Sequence, residues 1–262
     1  MRSYRAIVQK ELHALFVSPI AYVVLAVFFL VTGFYFFFYL TGVLDYLMQQ
    51  GLQAQQFGGN PPPFDAPGIV MQGFFGIVSF VLLLLLPMVT MGSFSEEKKS
   101  GTIELLLTSP VTHLQVILGK FTAFMLFLFV MLTPTILNTV LLYVFSDPLP
   151  PLAPMLLGYL GAFLLGGSLL AFGLFFSSLT ENQIVAVVVT FCVFMILWVI
   201  DFAAGTASTL TNETLRYLSV LKHYEDFTRG ILDTQHLVFY FSLIFLGLFL
   251  TSVSLDSLRW RQ

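Results

Sequence analysis

A chain of 262 residues that is 58% hydrophobic and only 10% charged cannot be an ordinary water-soluble domain, since such domains carry about a quarter charged residues. A mean hydropathy of +0.92 and thirty phenylalanines make lipid the solvent for most of its surface. The net charge of −3 is small, and where the charges sit matters more than their sum. A lone cysteine, Cys192, rules out an intrachain disulfide and reads as a buried bystander in an apolar run. His13, His113, His223 and His236 all avoid the middle of apolar runs, which argues against a haem held between spans.

In chain order, the first element is an amphipathic helix over Met1 to Val17. Tyr4, Val8, Leu12 and Leu15 recur at helical spacing with Ile7 and Phe16 beside them, and Arg5, Gln9 and Lys10 lie off that stripe. Such a helix rests in the plane of the membrane interface, and Ser18-Pro19 stops it; the alternative is a merely basic tail. The charges at Arg2, Arg5, Lys10 and Glu11, followed by a full-length apolar run, do not read as a cleavable signal peptide. Six spans of about 20 apolar residues follow: about 20–40, 68–93, 118–145, 154–176, 183–200 and 237–253. The predicted fold class is therefore an all-α polytopic membrane protein in a single domain over 1–262. A polar glutamine-rich stretch ending in Pro61-Pro62-Pro63 separates spans one and two. Pro87 and Pro134 kink spans two and three.

Lysine and arginine orient the bundle. One side holds Arg2, Arg5, Lys10, Lys98, Lys99, Lys120, Arg259 and Arg261, whereas the other holds only Arg216, Lys222 and Arg229 among acidic neighbours. Both termini and the 94–117 loop are thus expected in the cytoplasm. The outer segment, 204–236, is too long for a turn. Thr211 and Asn212 are helix-cap types, Leu215, Leu218 and Leu221 form a partial stripe, and Gly230 is placed to end a turn. One or two short helices at the outer interface are expected there.

The 94–117 loop carries the most specific pattern. Glu96, Glu97, Lys98 and Lys99 form a charged cluster, and Gly101 permits a bend. Thr102 to Thr108 can then form a short helix with Ile103, Leu106 and Leu107 on one side, ended by Pro110. The bland reading is a solvated positive-inside loop. The run Glu96-Glu97-Lys98-Lys99-Ser100-Gly101-Thr102-Ile103-Glu104-Leu105-Leu106-Leu107-Thr108-Ser109-Pro110 resembles the permease subunits of ABC-2 type ATP-binding cassette transporters, and the order of elements is similar along the whole chain. The stretch His223 to Asp233 looks like the subgroup of gliding-associated and copper-enzyme-maturation permeases.

The resemblance implies a permease subunit in a bacterial inner membrane, paired with a second copy or a homologous permease. A separate ATPase subunit would receive the 94–117 loop, and the family leans to export. It assigns ATPase coupling to Glu96, Glu97, Lys98, Lys99, Gly101, Thr102, Ile103, Glu104, Leu106 and Leu107. Glu181 and Asn182, in the short turn between spans four and five, are a second possible contact. No G-x-x-x-x-G-K-[ST] motif occurs, because Gly119-Lys120 is followed by Phe121; ATP hydrolysis is expected on the partner, and neither metal nor cofactor is implied.

Asn138 lies deep in span three and should bond a neighbouring helix or face a translocation path. Asp201 fits best at the outer end of span five, where a carboxylate is cheaper than at the membrane centre. Gly158, Ala162 and Gly166, with Gly167 and Ala171, put small residues on faces of span four, for packing within the chain or between copies. Ser168 is the one tempting nucleophile, yet no histidine lies within a span to serve as its base. A secondary carrier, which would usually show internal repeats, and a membrane scaffold remain as competing readings.

Overall fold

A computed structural model describes residues 2–57, 64–102, 112–147, 149–204 and 217–259. The fold is all-α, with ten α-helices among the described residues: α1 (Arg2–Val17), α2 (Pro19–Phe57), α3 (Ala66–Thr90), α4 (Gly92–Lys99), α5 (His113–Leu132), α6 (Ile136–Phe145), α7 (Leu152–Leu179), α8 (Gln183–Ala204), α9 (Val220–Thr228) and α10 (Thr234–Arg259). Six helical stretches are long and apolar enough to cross a membrane, beginning at Pro19, Ala66, His113, Leu152, Gln183 and Thr234. We call the end of the bundle that carries α1 and α4 the inner face and the end that carries α9 the outer face.

Span one extends well past its expected end. The 39-residue α2 is about 58 Å long at 1.5 Å per residue, because the glutamine-rich stretch has helix-forming residues and no proline before Pro61. Span three is broken where proline predicts it: Thr133–Thr135 forms a 3₁₀ turn around Pro134, between α5 and α6. Pro87, by contrast, sits inside an uninterrupted α3. The α4 helix follows α3 after Met91, so the charged cluster continues the line of span two as a helix.

The 28-residue α7 is the central helix, buried over most of its length against α3, α5, α8, α9 and α10. Its glycines explain how. A Cβ on Gly158 would collide with the Phe75 ring, one on Gly166 would fall 2.5 Å from Leu128, and one on Gly167 3.1 Å from Ile244. The small residues therefore receive side chains of α3, α5 and α10 from the same chain, the packing expected where backbones approach closely in lipid. By contrast, α2, α8 and α10 leave most of their surfaces uncovered.

One sequence expectation is corrected, and other residues singled out in the sequence take their places. Cys192 is exposed on α8 rather than buried: the apolar run around it turns that face outward, and apolar sequence alone cannot separate a lipid-facing side from a packed one. Asn138 is half-buried on α6, but its side chain makes no hydrogen bond to another described residue. Ser168 is fully buried and donates to the Leu165 carbonyl at 2.7 Å, leaving no free nucleophile. The cap types Thr211 and Asn212, with Leu215, lie outside the described residues. The described outer helix is α9, whose amide of Lys222 donates to the Ser219 hydroxyl at 3.2 Å.

Candidate functional site

The inner face gathers most of the residues singled out for coupling, and their geometry begins with α1. Its packed stripe includes Tyr4, Ile7, Val8, Leu12, Leu15 and Phe16 as the periodicity requires, but the most buried member is Glu11. Tyr4 shares a 2.6 Å hydrogen bond with the Thr122 hydroxyl of α5. Gly119 lets Ile7 close in, since a Cβ there would lie 2.7 Å from the isoleucine. The α1 helix therefore lies directly on α5, at residues that flank Lys120.

Lys120 is the centre of the site. Its side chain is only 2% exposed, and its ammonium donates to Glu11 Oε1 at 2.9 Å, Glu97 Oε1 at 2.9 Å and the Ser93 carbonyl at 3.0 Å. The same nitrogen stands 5.1 Å from the centroid of the Phe94 ring, where an aromatic face attracts a cation. All three donors of the ammonium find acceptors, as burial of a lysine demands. Lys10 approaches both carboxylates more loosely from the surface, at 3.9 and 4.0 Å. One lysine thus ties α1, α4 and α5 together. Removing one partner from such a buried cluster costs about 3–5 kcal/mol, because the remaining charge is stranded.

A second tie comes from α7. Met91 offers α4 no side-chain cap, so the first amides of the helix need other acceptors. The Ser177 hydroxyl accepts from the amides of Phe94 at 3.0 Å and Ser95 at 3.1 Å, and it donates to the Met91 carbonyl at 2.8 Å. Span four thereby caps α4 from outside. At the other end, Gly101 takes φ +69° and its amide donates to the Lys98 carbonyl at 3.1 Å, the left-handed helix end that favours glycine. The bend expected at Gly101 is present.

The coupling candidates divide by exposure. Glu96, Lys99, Gly101 and Thr102 are exposed, Lys98 is half-buried, and Glu97 points inward to Lys120. Burial pushes the Lys98 ammonium below its ordinary value, and the Glu181 carboxylate partly offsets this. Glu181 and the neighbouring Asn182 are exposed in the α7–α8 turn and line, with Lys99, a hollow of about 420 Å³. Gln183 Nε2 reaches Glu96 Oε2 at 3.5 Å. The two predicted contact regions therefore adjoin. A further hollow of about 380 Å³ is lined by Lys10, Glu11, Glu97 and Lys120 together with Leu15 and Met88. Ile103, Glu104, Leu106 and Leu107 lie outside the described residues, as does the side chain of Asp201.

Sequence reasoning missed Glu11, Lys120 and Ser177. For two of them a signal existed. Glu11 falls on the apolar stripe of α1, and Lys120 on that of α5 between Val116, Ile117, Ala123 and Phe124, so each charge occupied a position meant for packing. Ser177 had no such mark.

A protein-family model described as "ABC-2 family transporter protein" matches residues 5–255. Two curated proteins, each named "Probable multidrug ABC transporter permease YbhR", from Escherichia coli strain K12 and Escherichia coli O157:H7, are 26% identical over 207 residues. That alignment covers 71% of this chain and 54% of each relative, so the chain spans about half the length of the curated relatives it matches. With the matched region running from α1 through almost all of α10, the chain belongs to the ABC-2 family of transporter proteins.

Proposed function

We propose that this chain is the membrane-spanning permease subunit of an ATP-driven exporter, working beside a second permease and powered by a separate ATPase that docks on its inner face. The observation that carries this reading is the anchorage of α4: a short helix with exposed Glu96 and Lys99, fixed at its root to three other helices through Lys120 and Ser177. A displacement applied to a helix so held moves α1, α5 and α7 with it, because packed interiors deform as units. A loose solvated loop would not transmit such a push.

The roles follow from exposure. Glu96, Lys98, Lys99 and Thr102 offer charge and hydroxyl contacts to the ATPase, with Glu181 and Asn182 flanking them; Ile103, Glu104, Leu106 and Leu107 are assigned to the same contact from the sequence alone. Gly101 sets the angle between α4 and the segment beyond. Glu97 belongs to the clamp beneath. The lysine and arginine bias supports a cytoplasmic inner face, with both termini there, in a bacterial inner membrane. Asn138 and Asp201 are assigned to the translocation path between two permeases. The matched relatives are named as probable multidrug permeases, which supports drug-like cargo, while the direction of transport rests on the family resemblance.

The test is co-purification of the tagged chain from native membranes in mild detergent. An ATPase subunit should accompany it, and the Glu96→Lys/Lys99→Glu double variant should lose that subunit while remaining in the membrane. If several mild detergents recover no ATPase, the coupling assignment fails and a scaffold becomes the better reading.

A further inference from the structure

The outer face holds a buried polar chain that the permease reading does not use. Its parts come from three places: the Tyr217 carbonyl before α9, His223 and Asp226 on α9, and His236 in the first turn of α10. His223 Nε2 lies 2.9 Å from the Tyr217 carbonyl oxygen, His223 Nδ1 lies 2.6 Å from His236 Nδ1, and His236 Nε2 lies 3.2 Å from Asp226 Oδ2. The two imidazoles are 2% and 8% exposed. The ring of Phe239 stacks on His223 at 4.0 Å between centroids, and Tyr217 stands edge-on to it at 5.6 Å.

The protons of this chain can be counted. A carbonyl oxygen only accepts, so His223 Nε2 carries hydrogen. A carboxylate facing a ring nitrogen at 3.2 Å also needs one proton between them. The two Nδ1 atoms would present lone pair to lone pair unless a cation lies between, and 2.6 Å leaves room for a proton only. A metal ion bonded to both would hold them farther apart, since each metal–nitrogen bond is about 2.0 Å. Three gaps therefore take three protons, one more than two neutral imidazoles and a carboxylate supply, and the trio is electrically neutral.

We propose that His223 and His236 form a proton-binding site that latches α9 to span six, and that uptake of one further proton by the pair releases the latch. A fourth proton on an imidazole sets N–H against N–H across 2.6 Å and places an uncompensated charge among aromatic rings. The other groups facing the pair are Lys222 on α9, whose charge opposes a second cation, and Asp233 in the turn before α10, whose charge acts on His236. Among the described side chains α3 and α7 bring no charge to it, and the one acidic residue of α8, Asp201, has its side chain outside those described. Burial holds the His223 imidazole below its ordinary 6.5, an effect the Tyr217 carbonyl and Asp226 oppose and the charges of His236 and Lys222 reinforce. The released state takes the extra proton at the higher, ordinary value. The latch therefore holds fully above about pH 6.5 and weakens as pH falls below it.

The site is positioned to matter mechanically. Val220, Tyr224 and Phe227 bury the inner side of α9, with Tyr224 donating to the Phe75 carbonyl at 3.1 Å and Tyr240 of α10 donating to the Val220 carbonyl at 2.9 Å. A nine-residue helix is held by such packing and not by its own propensity. Loosening the histidine pair removes one of its ties to span six.

The chain has four histidines, so ¹⁵N-histidine labelling of the full protein in lipid nanodiscs resolves the ring nitrogens, with His13→Gln and His113→Gln assigning the other two. At pH 7.5 the His223 and His236 Nδ1 signals should report one shared proton. Towards pH 5 both should change together, with uptake of one proton per chain. Over the same range amide exchange of residues 220–228, corrected for intrinsic rate, should rise several-fold as the latch opens. His223→Gln should abolish that acid-dependent step. Asp226→Asn, which keeps the shape but not the compensating charge, should lose the shared-proton signal at pH 7.5. Two independent single-histidine titrations with unchanged exchange would overturn the proposal. So would a stoichiometric metal ion retained at the pair after chelator-free purification.

Discussion

The two faces of the molecule solve one problem with different materials. Each fastens a short helix at its own end of the bundle to the spans through a buried polar cluster. On the inner face a single ammonium, Lys120, gathers two carboxylates and a carbonyl from two other helices. On the outer face two imidazoles and one carboxylate divide protons between α9 and α10. A lysine head with three donors fixes three elements at one point. A histidine pair joins two elements through a bond that exists only at one proton count. The inner fastening is suited to bearing load, and the outer one to letting go.

The harshest way to break this contrast is Lys120→Met. It leaves Glu11 and Glu97 facing each other without a cation, and unfolding in mild detergent should show a loss of about 3–5 kcal/mol. Adding Glu11→Gln and Glu97→Gln should recover much of that loss; if it does not, packing and not charge holds the three helices. On the outer side Gly161→Val tests the seat of α9, because a Cβ there already meets Phe227 at 3.0 Å and Tyr224 at 3.1 Å. Overpacking should cost about 1–3 kcal/mol, and exchange of α9 amides should rise while that of α4 does not.

Ser177→Ala removes the external cap from α4 without touching Lys120. The expected cost is about 0.5–2 kcal/mol, the usual worth of a helix cap, read as faster exchange at Phe94 and Ser95. Should those amides stay protected, the lysine cluster alone orders α4. Smallest in stability is the Glu96→Lys/Lys99→Glu double variant. Exposed positions like these shift folding by within about 0.5 kcal/mol, so an unaltered melting profile together with lost ATPase co-purification would separate docking from folding.

The spans were legible because lipid imposes a length and a composition, and the broken third span because Pro134 cannot donate to the helix ladder. Gly101 was readable for a related reason, as its φ of +69° is one that glycine adopts freely. What escaped were the partners. Lys120 reads as the start of a span, and nothing local says that Glu11, 109 residues earlier, lies 2.9 Å away. Ser177 looks like any serine near a helix end, because its acceptor role belongs to a helix that begins 85 positions earlier in the chain. Cys192 misled for the opposite reason: in lipid an apolar neighbourhood marks the outside of a bundle as readily as its interior. His223 and His236 stood out only as residues too polar for a span.

The 3₁₀ turn at Pro134 has a consequence for how motion crosses the membrane. A strain entering α5 at Lys120 meets a joint within its span, where the 3₁₀ turn interrupts the α-helical ladder before α6 resumes. No such joint interrupts α7, whose 28 residues make a rod about 42 Å long. Near one end Ser177 grips the start of α4; near the other Gly161 seats α9, and Pro154 meets the turn at Gly230. The bundle thus contains one stiff strut between its faces and one articulated limb beside it, and a push delivered at α4 reaches the far helix along the strut.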